Sequence, residues 1–264
     1  MEKSEDNEQD GKHQPSRFKG ATNDSHNYET SKYFKQETAS PYKQSSTESK
    51  TTSQDESGKL QAKLSRSFFD VPCAQLAKDL LGQKLVRKIG SQRISGTIVE
   101  TEAYLGLEDK AAHSYQGKRT ERNEAMFMMP GTAYVYNIYG VYCCFNISSA
   151  GDGCAVLLRA LEPLEGKAEI QKIREKKSKK KQKDSALTNG PSKLCQALQI
   201  NKDNCNKIDL TSSDELWLEK GEDILQDQIV HCPRINIGYA EEWVEKPLRF
   251  YIKENPCVSV KFKG

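Results

Sequence analysis

Residues 1–59 contain no leucine, isoleucine, valine, tryptophan or cysteine. A segment built from Ser, Thr, Gln, Asn, Lys and Glu buries too little apolar surface to offset the roughly 1–2 kcal/mol that ordering each residue's backbone costs. Residues 1–62 are therefore expected to form a disordered polar tail, and what can fold lies behind it. Residues 63–264 hold both tryptophans and all eight cysteines, enough for one domain of ordinary size. This body carries 31 Lys and Arg against 26 Asp and Glu, from chain totals of 40 and 37 less the 9 and 11 of residues 1–62. The excess is modest but of the sign that suits a polyanionic partner.

The cysteines, Cys73, Cys143, Cys144, Cys154, Cys195, Cys205, Cys232 and Cys257, form no Cys-x-x-Cys pair. With no secretory signal or long apolar span in the sequence, they read as reduced, mostly buried thiols of an intracellular protein. A zinc site would also draw on clustered histidines, and the body has only His113 and His231. No metal, no cofactor and no membrane association are expected.

Periodicity outlines an α+β domain: a curved, largely antiparallel sheet with surrounding helices. Cys73, Leu76, Ala77 and Leu80 share a helical stripe that Gly82 ends. Residues 84–89 and 93–103 read as strands around a turn, and residues 109–130 as loop and short helix over a site. Residues 134–138 and 141–148 form a hairpin reversing at Tyr139-Gly140, and residues 155–161 form another strand. A helix begins after Gly166, with residues 175–188 expected as a lysine-rich loop, and another begins at Ser192. Strands near Leu216 and over residues 234–237, 248–252 and 258–262 complete the sheet. The lysine run is read as a solvated face, with nuclear import or attraction to DNA as the sharper alternative.

Two features point to chemistry. Strand alternation puts Ile98, Glu100, Glu102 and Tyr104 on one face, so two carboxylates stand beside an aromatic at a strand end. Such acids more often pair structurally with Arg or Lys; burial beside Tyr104 favours a general-base role. The hairpin leaves a large aromatic, Tyr139, at an exposed tip. Tyr134, Tyr136 and Tyr142 can serve a core, but a ring at a tip suits insertion into a base stack.

The literal strings go further. Glu100-Thr-Glu-Ala-Tyr-Leu-Gly, Asp109-Lys-Ala-Ala-His-Ser, Met128-Met-Pro-Gly-Thr, Tyr134-Val-Tyr with Ile138-Tyr-Gly, Asn146-Ile-Ser-Ser, Leu157-Leu-Arg-Ala-Leu-Glu-Pro-Leu-Glu-Gly and Gly190-Pro-Ser-Lys-Leu-Cys-Gln-Ala-Leu follow one another in order. Together they closely resemble the alkyladenine, or 3-methyladenine, DNA glycosylase family of vertebrate type, from about Phe68 to Val260. The resemblance implies a monofunctional base-excision-repair glycosylase in residues 63–264, acting on alkylated or deaminated purines in duplex DNA. It implies Glu102 as the base that activates water, Arg159 as its helper, and Tyr104, His113 and Tyr136 as the slot for the extruded purine. Asn146 matches the residue that disfavours the 2-amino group of guanine, and Tyr139 the intercalating tip. Lys118, Arg122, Ser192 and Lys193 are expected on the DNA backbone, Lys118 standing where the family commonly has arginine. The implied protein is a monomer in the nucleus, with mitochondria left open, and its tail is a route to downstream repair proteins. The rival readings are a non-catalytic nucleic-acid-binding module and, from fold likeness alone, an RNA-modifying or formyl-transferring enzyme.

Overall fold

The computed structural model describes residues 62–264 except 141 and 179. The expected disorder of the tail therefore falls outside the described residues, but for its last position.

Helices α1 (Arg66–Phe69) and α2 (Cys73–Asp79) precede strands β1 (Lys84–Ile89) and β2 (Gln92–Tyr104). Loops with short 3-10 turns lead to β3 (Ala133–Ile138), β4 (Tyr142–Ser148) and β5 (Ala155–Pro163). Then come α3 (Lys167–Ser178), α4 (Pro191–Ala197), α5 (Lys202–Cys205), β6 (Leu216–Glu219), β7 (Ile229–Cys232) and β8 (Arg249–Ile252). Among the described residues these strands make one sheet ordered β3-β4-β5-β2-β1-β6, with β8 on β2 and β7 on β8. Every ladder between them is antiparallel, so the domain is the curved α+β sheet expected from the sequence.

The spine is β2, and its partners change along its length. One edge pairs with β5 from Gly96 to Tyr104, while the other pairs first with β1 and then, at Glu100 to Glu102, with β8. The β2–β5 register slips twice: Ile98 lies opposite Leu161 but Glu100 opposite Ala160, and Thr101 opposite Leu158. Val99 and Arg159 are the extra residues. A bulge inverts the side-chain parity beyond it. Ile98 consequently joins the main core, as do Ala103 and, through a hydrogen bond from its Oγ1 to the Ala77 carbonyl on α2, Thr101. Glu100, Glu102 and Tyr104 point to the other side. Simple alternation, which put Ile98 with the two glutamates, is corrected by that one inserted residue.

The core covers a single face of the sheet. Leu76 and Ala77 of α2 with Leu80 just after it, and Leu194 and Ala197 of α4 with Leu198 just after it, pack on Val135, Phe145, Ile147, Val156 and Leu158, all with almost no exposure. Each buried leucine contributes about 1.5–3 kcal/mol by leaving water. The opposite residues of the same strands are thereby left to build a site.

Three expectations of secondary structure fail for identifiable reasons. Residues 234–237 are not a strand: Asn236 has φ +60, and the Ile235 N–H turns to a side chain instead of a ladder. Residues 258–262 are not a strand either, because the N–H groups of Ser259 and Phe262 donate to the Glu100 carboxylate and the Tyr251 hydroxyl. The lysine-rich loop begins later than residue 175, since α3 runs to Ser178. Lysine is a good helix former, and Ile170 anchors that helix in the core.

Candidate functional site

The face of the sheet that the core leaves free lines a cavity of about 740 Å³. That is within the roughly 300–1,000 Å³ usual for sites that enclose small molecules. Its floor comes from alternate residues: Glu102 and Tyr104 of β2, Tyr134 and Tyr136 of β3, Cys144 and Asn146 of β4, and Leu157 and Arg159 of β5. Its rim comes from loops carrying His113, Arg122 and Ile235, from Ser192 in the first turn of α4, and from the β3–β4 tip at Tyr139.

Glu102 has no exposed surface, and three donors converge on it. The Tyr104 hydroxyl donates to Oε2 at 2.9 Å, the Ile235 N–H to Oε1 at 2.8 Å, and Arg159 Nη1 lies 3.1 Å from Oε1. Burial, and next the charge of Glu102, push the Tyr104 phenol far above its ordinary value, so it remains a donor at any working pH. Burial opposes the charge of Arg159, but Glu102 and Glu100 outweigh it and hold the guanidinium above its ordinary value. Oε2 has a single partner in this set, which leaves it acceptor capacity beyond the Tyr104 bond.

A second carboxylate sits behind the first. Glu100, also without exposure, accepts from Arg159 Nε at 3.0 Å, Arg249 Nη1 at 3.0 Å and the Ser259 N–H at 2.6 Å. Arg159 therefore spans both glutamates, and the β5 bulge at this residue aims it there.

The aromatic wall is fixed from behind. Arg234 makes a bidentate pair with Asp109 at 2.6 and 2.8 Å, both side chains fully buried, and also donates to the Ala103 carbonyl at 2.9 Å. Its guanidinium lies 4.7 Å from the centre of the Tyr104 ring. Asp109 accepts from the Leu105 and Ala111 N–H groups and so ties the loop before His113 to the end of β2. Gly106 permits the tight turn between them: its φ is +82, and a Cβ there would lie 2.4 Å from the Asp152 carbonyl oxygen.

His113 stands edge-on to Tyr136 with ring centres 4.6 Å apart, and its Nδ1 is 2.7 Å from the Tyr134 hydroxyl. Burial, followed by the charges of Arg122 and Lys118, lowers its pKa to about 4, so the ring is neutral at physiological pH. Asn146 is buried between β3 and β5 and gives its Nδ2 to the Tyr134 carbonyl at 3.1 Å.

The tip is of another kind. Tyr139 is 90% exposed, and it and Gly140 have φ values of +51 and +70. Left-handed backbone is uncommon for a bulky side chain and marks a conformation imposed by the hairpin.

Of the residues singled out by sequence, Glu102, Tyr104, His113, Arg122, Tyr136, Tyr139, Asn146, Arg159 and Ser192 line this cavity. Lys118 and Lys193 do not: Lys118 is exposed beyond it, and Lys193 donates to Asn189 Oδ1 at 2.7 Å. Sequence reasoning missed four contributors. Tyr134 read as core, although its hydroxyl reaches His113. Arg234 was placed on a strand, and its partner Asp109 gave a signal only as part of the string that ends at His113. Tyr239, 69% exposed at the cavity mouth, gave none.

Residues 67–256 match the family model described as methylpurine-DNA glycosylase. The chain is 51% identical over 204 residues to the DNA-3-methyladenine glycosylase of Homo sapiens, a span covering 75% of this chain and 68% of that protein. Against the enzyme of the same name from Mus musculus it is 50% identical over 214 residues, covering 78% of this chain and 63% of the relative. It is 48% identical over 204 residues to a putative 3-methyladenine DNA glycosylase of Alkaliphilus oremlandii, covering 75% of this chain and all of that one. The chain thus spans about two thirds of the mammalian relatives it matches and the whole length of the bacterial one.

Proposed function

The chain belongs to the methylpurine-DNA glycosylase family, a family of N-glycosyl hydrolases that repair DNA, and from that premise we propose that it excises alkylated or deaminated purines from duplex DNA with a water activated by Glu102. The observation that carries the reading is the meeting, in one cavity, of the Glu102–Arg159 pair with the rings of Tyr104, His113 and Tyr136.

In this account a damaged purine leaves the stack, at a cost of a few kcal/mol that is smallest for poorly paired bases, and Tyr139 fills the gap. The purine stacks among the three rings while Glu102 takes a proton from a water directed at the anomeric carbon. Arg159 stays charged beside the carboxylate and steadies both. A cationic base such as 3-methyladenine leaves unaided. Neutral hypoxanthine or ethenoadenine leaves with help from hydrogen-bond donors at the ring edge, among them the His113 backbone N–H. Asn146, buried in the floor, disfavours the 2-amino group of intact guanine. Arg122 and Ser192 on the rim, with Lys118 and Lys193 beyond it, contact phosphates.

Among the described residues that line the cavity none is a lysine, which supports simple hydrolysis to an abasic site over a Schiff-base route with strand cleavage. The proposed partner is damaged duplex DNA, met by a monomer in the nucleus. A duplex holding one hypoxanthine, incubated with the protein and then treated with alkali, should break at the lesion, and without alkali it should stay intact. No break after alkali contradicts the proposal, and a break without alkali contradicts its monofunctional form.

A further inference from the structure

The Glu102 site rests on a buried charge network that extends well behind the cavity. Glu100 and Glu102 supply two negative charges and Arg159 and Arg249 two positive ones, none of the four side chains more than a tenth exposed. Buried charges are tolerated only where each is compensated, and Glu100 has both guanidiniums within 3.0 Å. Arg159 has one fork for two carboxylates: Nε is held by Glu100 and Nη1 by Glu102. Fixing the Nε edge sets where Nη1 can lie.

Glu100 is itself held by residues 257–262. The Ser259 N–H donates to its Oε2, and Arg249, already on its Oε1, donates to the Val260 carbonyl at 2.7 Å. The Phe262 N–H adds a bond to the Tyr251 hydroxyl at 3.1 Å, and Val258 packs with Tyr251 and Cys232. This stretch lies across the sheet without joining a ladder, and it falls beyond residue 256, where the family match ends.

We propose that Glu100, clamped by Arg249 and by the backbone N–H of Ser259, is a positioning residue that sets the Arg159 fork against Glu102, making residues 257–262 a working part of the site. The proposal rests on the glycosylase reading above. It assigns to Glu100 no contact with substrate. Its effect passes through Arg159 alone, and that gives it a signature a general loss of structure lacks.

The test measures single-turnover excision of hypoxanthine at saturating protein, together with the half-saturating protein concentration, for wild type, Glu100→Gln, Arg159→Gln and the double variant. Glu100→Gln should slow the maximal rate roughly 10- to 100-fold, as loss of a charged hydrogen-bond partner does, and leave half-saturation within about threefold. In the Arg159→Gln background the same change should cost less than about threefold, because its route is already cut. Ser259→Pro, which leaves both glutamates but removes the N–H to Glu100 together with the hydroxyl that Arg159 Nη2 reaches at 3.4 Å, should repeat the pattern, with thermal melting recorded for each variant. A Glu100→Gln rate equal to wild type, or full additivity with Arg159→Gln, overturns the proposal while the glycosylase reading stands. If the wild type excises nothing, both fall together.

Discussion

Tyr139 and Glu102 border the same cavity and are built in opposite ways. Glu102 has no exposed surface and three donors fixing it, supported by a second carboxylate and two arginines. Tyr139 is 90% exposed on a left-handed backbone, with solvent around its ring. Proton transfer in a transition state demands geometry good to fractions of an ångström, which only a packed and bonded floor supplies. Entering a DNA stack demands reach, which a rigid hairpin with an unburied ring supplies at the cost of local strain. On the proposed function, the floor governs the chemical step and the tip governs capture, and substitutions should divide along that line.

The largest effect is expected on the floor. Glu102→Gln should slow single-turnover excision about 10²- to 10⁴-fold with lesion-duplex affinity kept within a few fold, read by a binding titration beside the rate. Equal losses in rate and affinity would mean that Glu102 serves binding as much as chemistry.

Next comes the support of the aromatic wall. Asp109→Asn leaves Arg234 buried without its counter-charge, and stability should drop by about 3–5 kcal/mol in denaturant melts. An unchanged midpoint means that the pair does not hold the wall.

At the tip the two readouts should separate in the other direction. Tyr139→Gly removes left-handed strain, so stability should stay level or rise by up to about 1 kcal/mol, while lesion-duplex binding weakens roughly tenfold. A variant that loses stability and keeps affinity assigns Tyr139 to the fold instead.

The smallest effect is a pH slope. Burial, helped by Arg122 and Lys118, takes His113 to about 4 from an ordinary 6.5. The unfolded ring therefore binds its proton first. The stability owed to the neutral ring is complete above pH 6.5 and is lost as pH falls toward 4. Thermal midpoints should decline across that window, less steeply in His113→Gln, and an identical slope in the variant removes His113 as the cause.

Much of this arrangement can be read from residue order. Period-two alternation is local, and it sets Tyr136 and Asn146 on the face opposite Val135 and Phe145. The α2 stripe is equally plain, because 3.6-residue periodicity needs no partner to be visible. What escapes are features decided by distant chain. The bulge at Val99 depends on β5 sliding against β2, and it separates Ile98 from Glu100. The Asp109–Arg234 pair joins positions 125 residues apart, and the tie from Ser259 to Glu100 joins positions 159 apart. Residues 234–237 and 258–262 look like strands because they are apolar and β-prone. The Ile235 and Ser259 N–H groups instead serve carboxylates, and burial of Glu100 and Glu102 makes that competition decisive.

Ethenoadenine fluorescence, which changes when the base leaves the duplex stack, tests the division of labour most directly. One lesion duplex is mixed with excess Glu102→Gln, Tyr139→Gly or wild type. Glu102→Gln should give a lasting unstacked signal and no abasic product, and Tyr139→Gly a weaker signal. A Glu102→Gln protein that never unstacks the base, or that releases it at the wild-type rate, contradicts the claim that this buried carboxylate drives the chemical step.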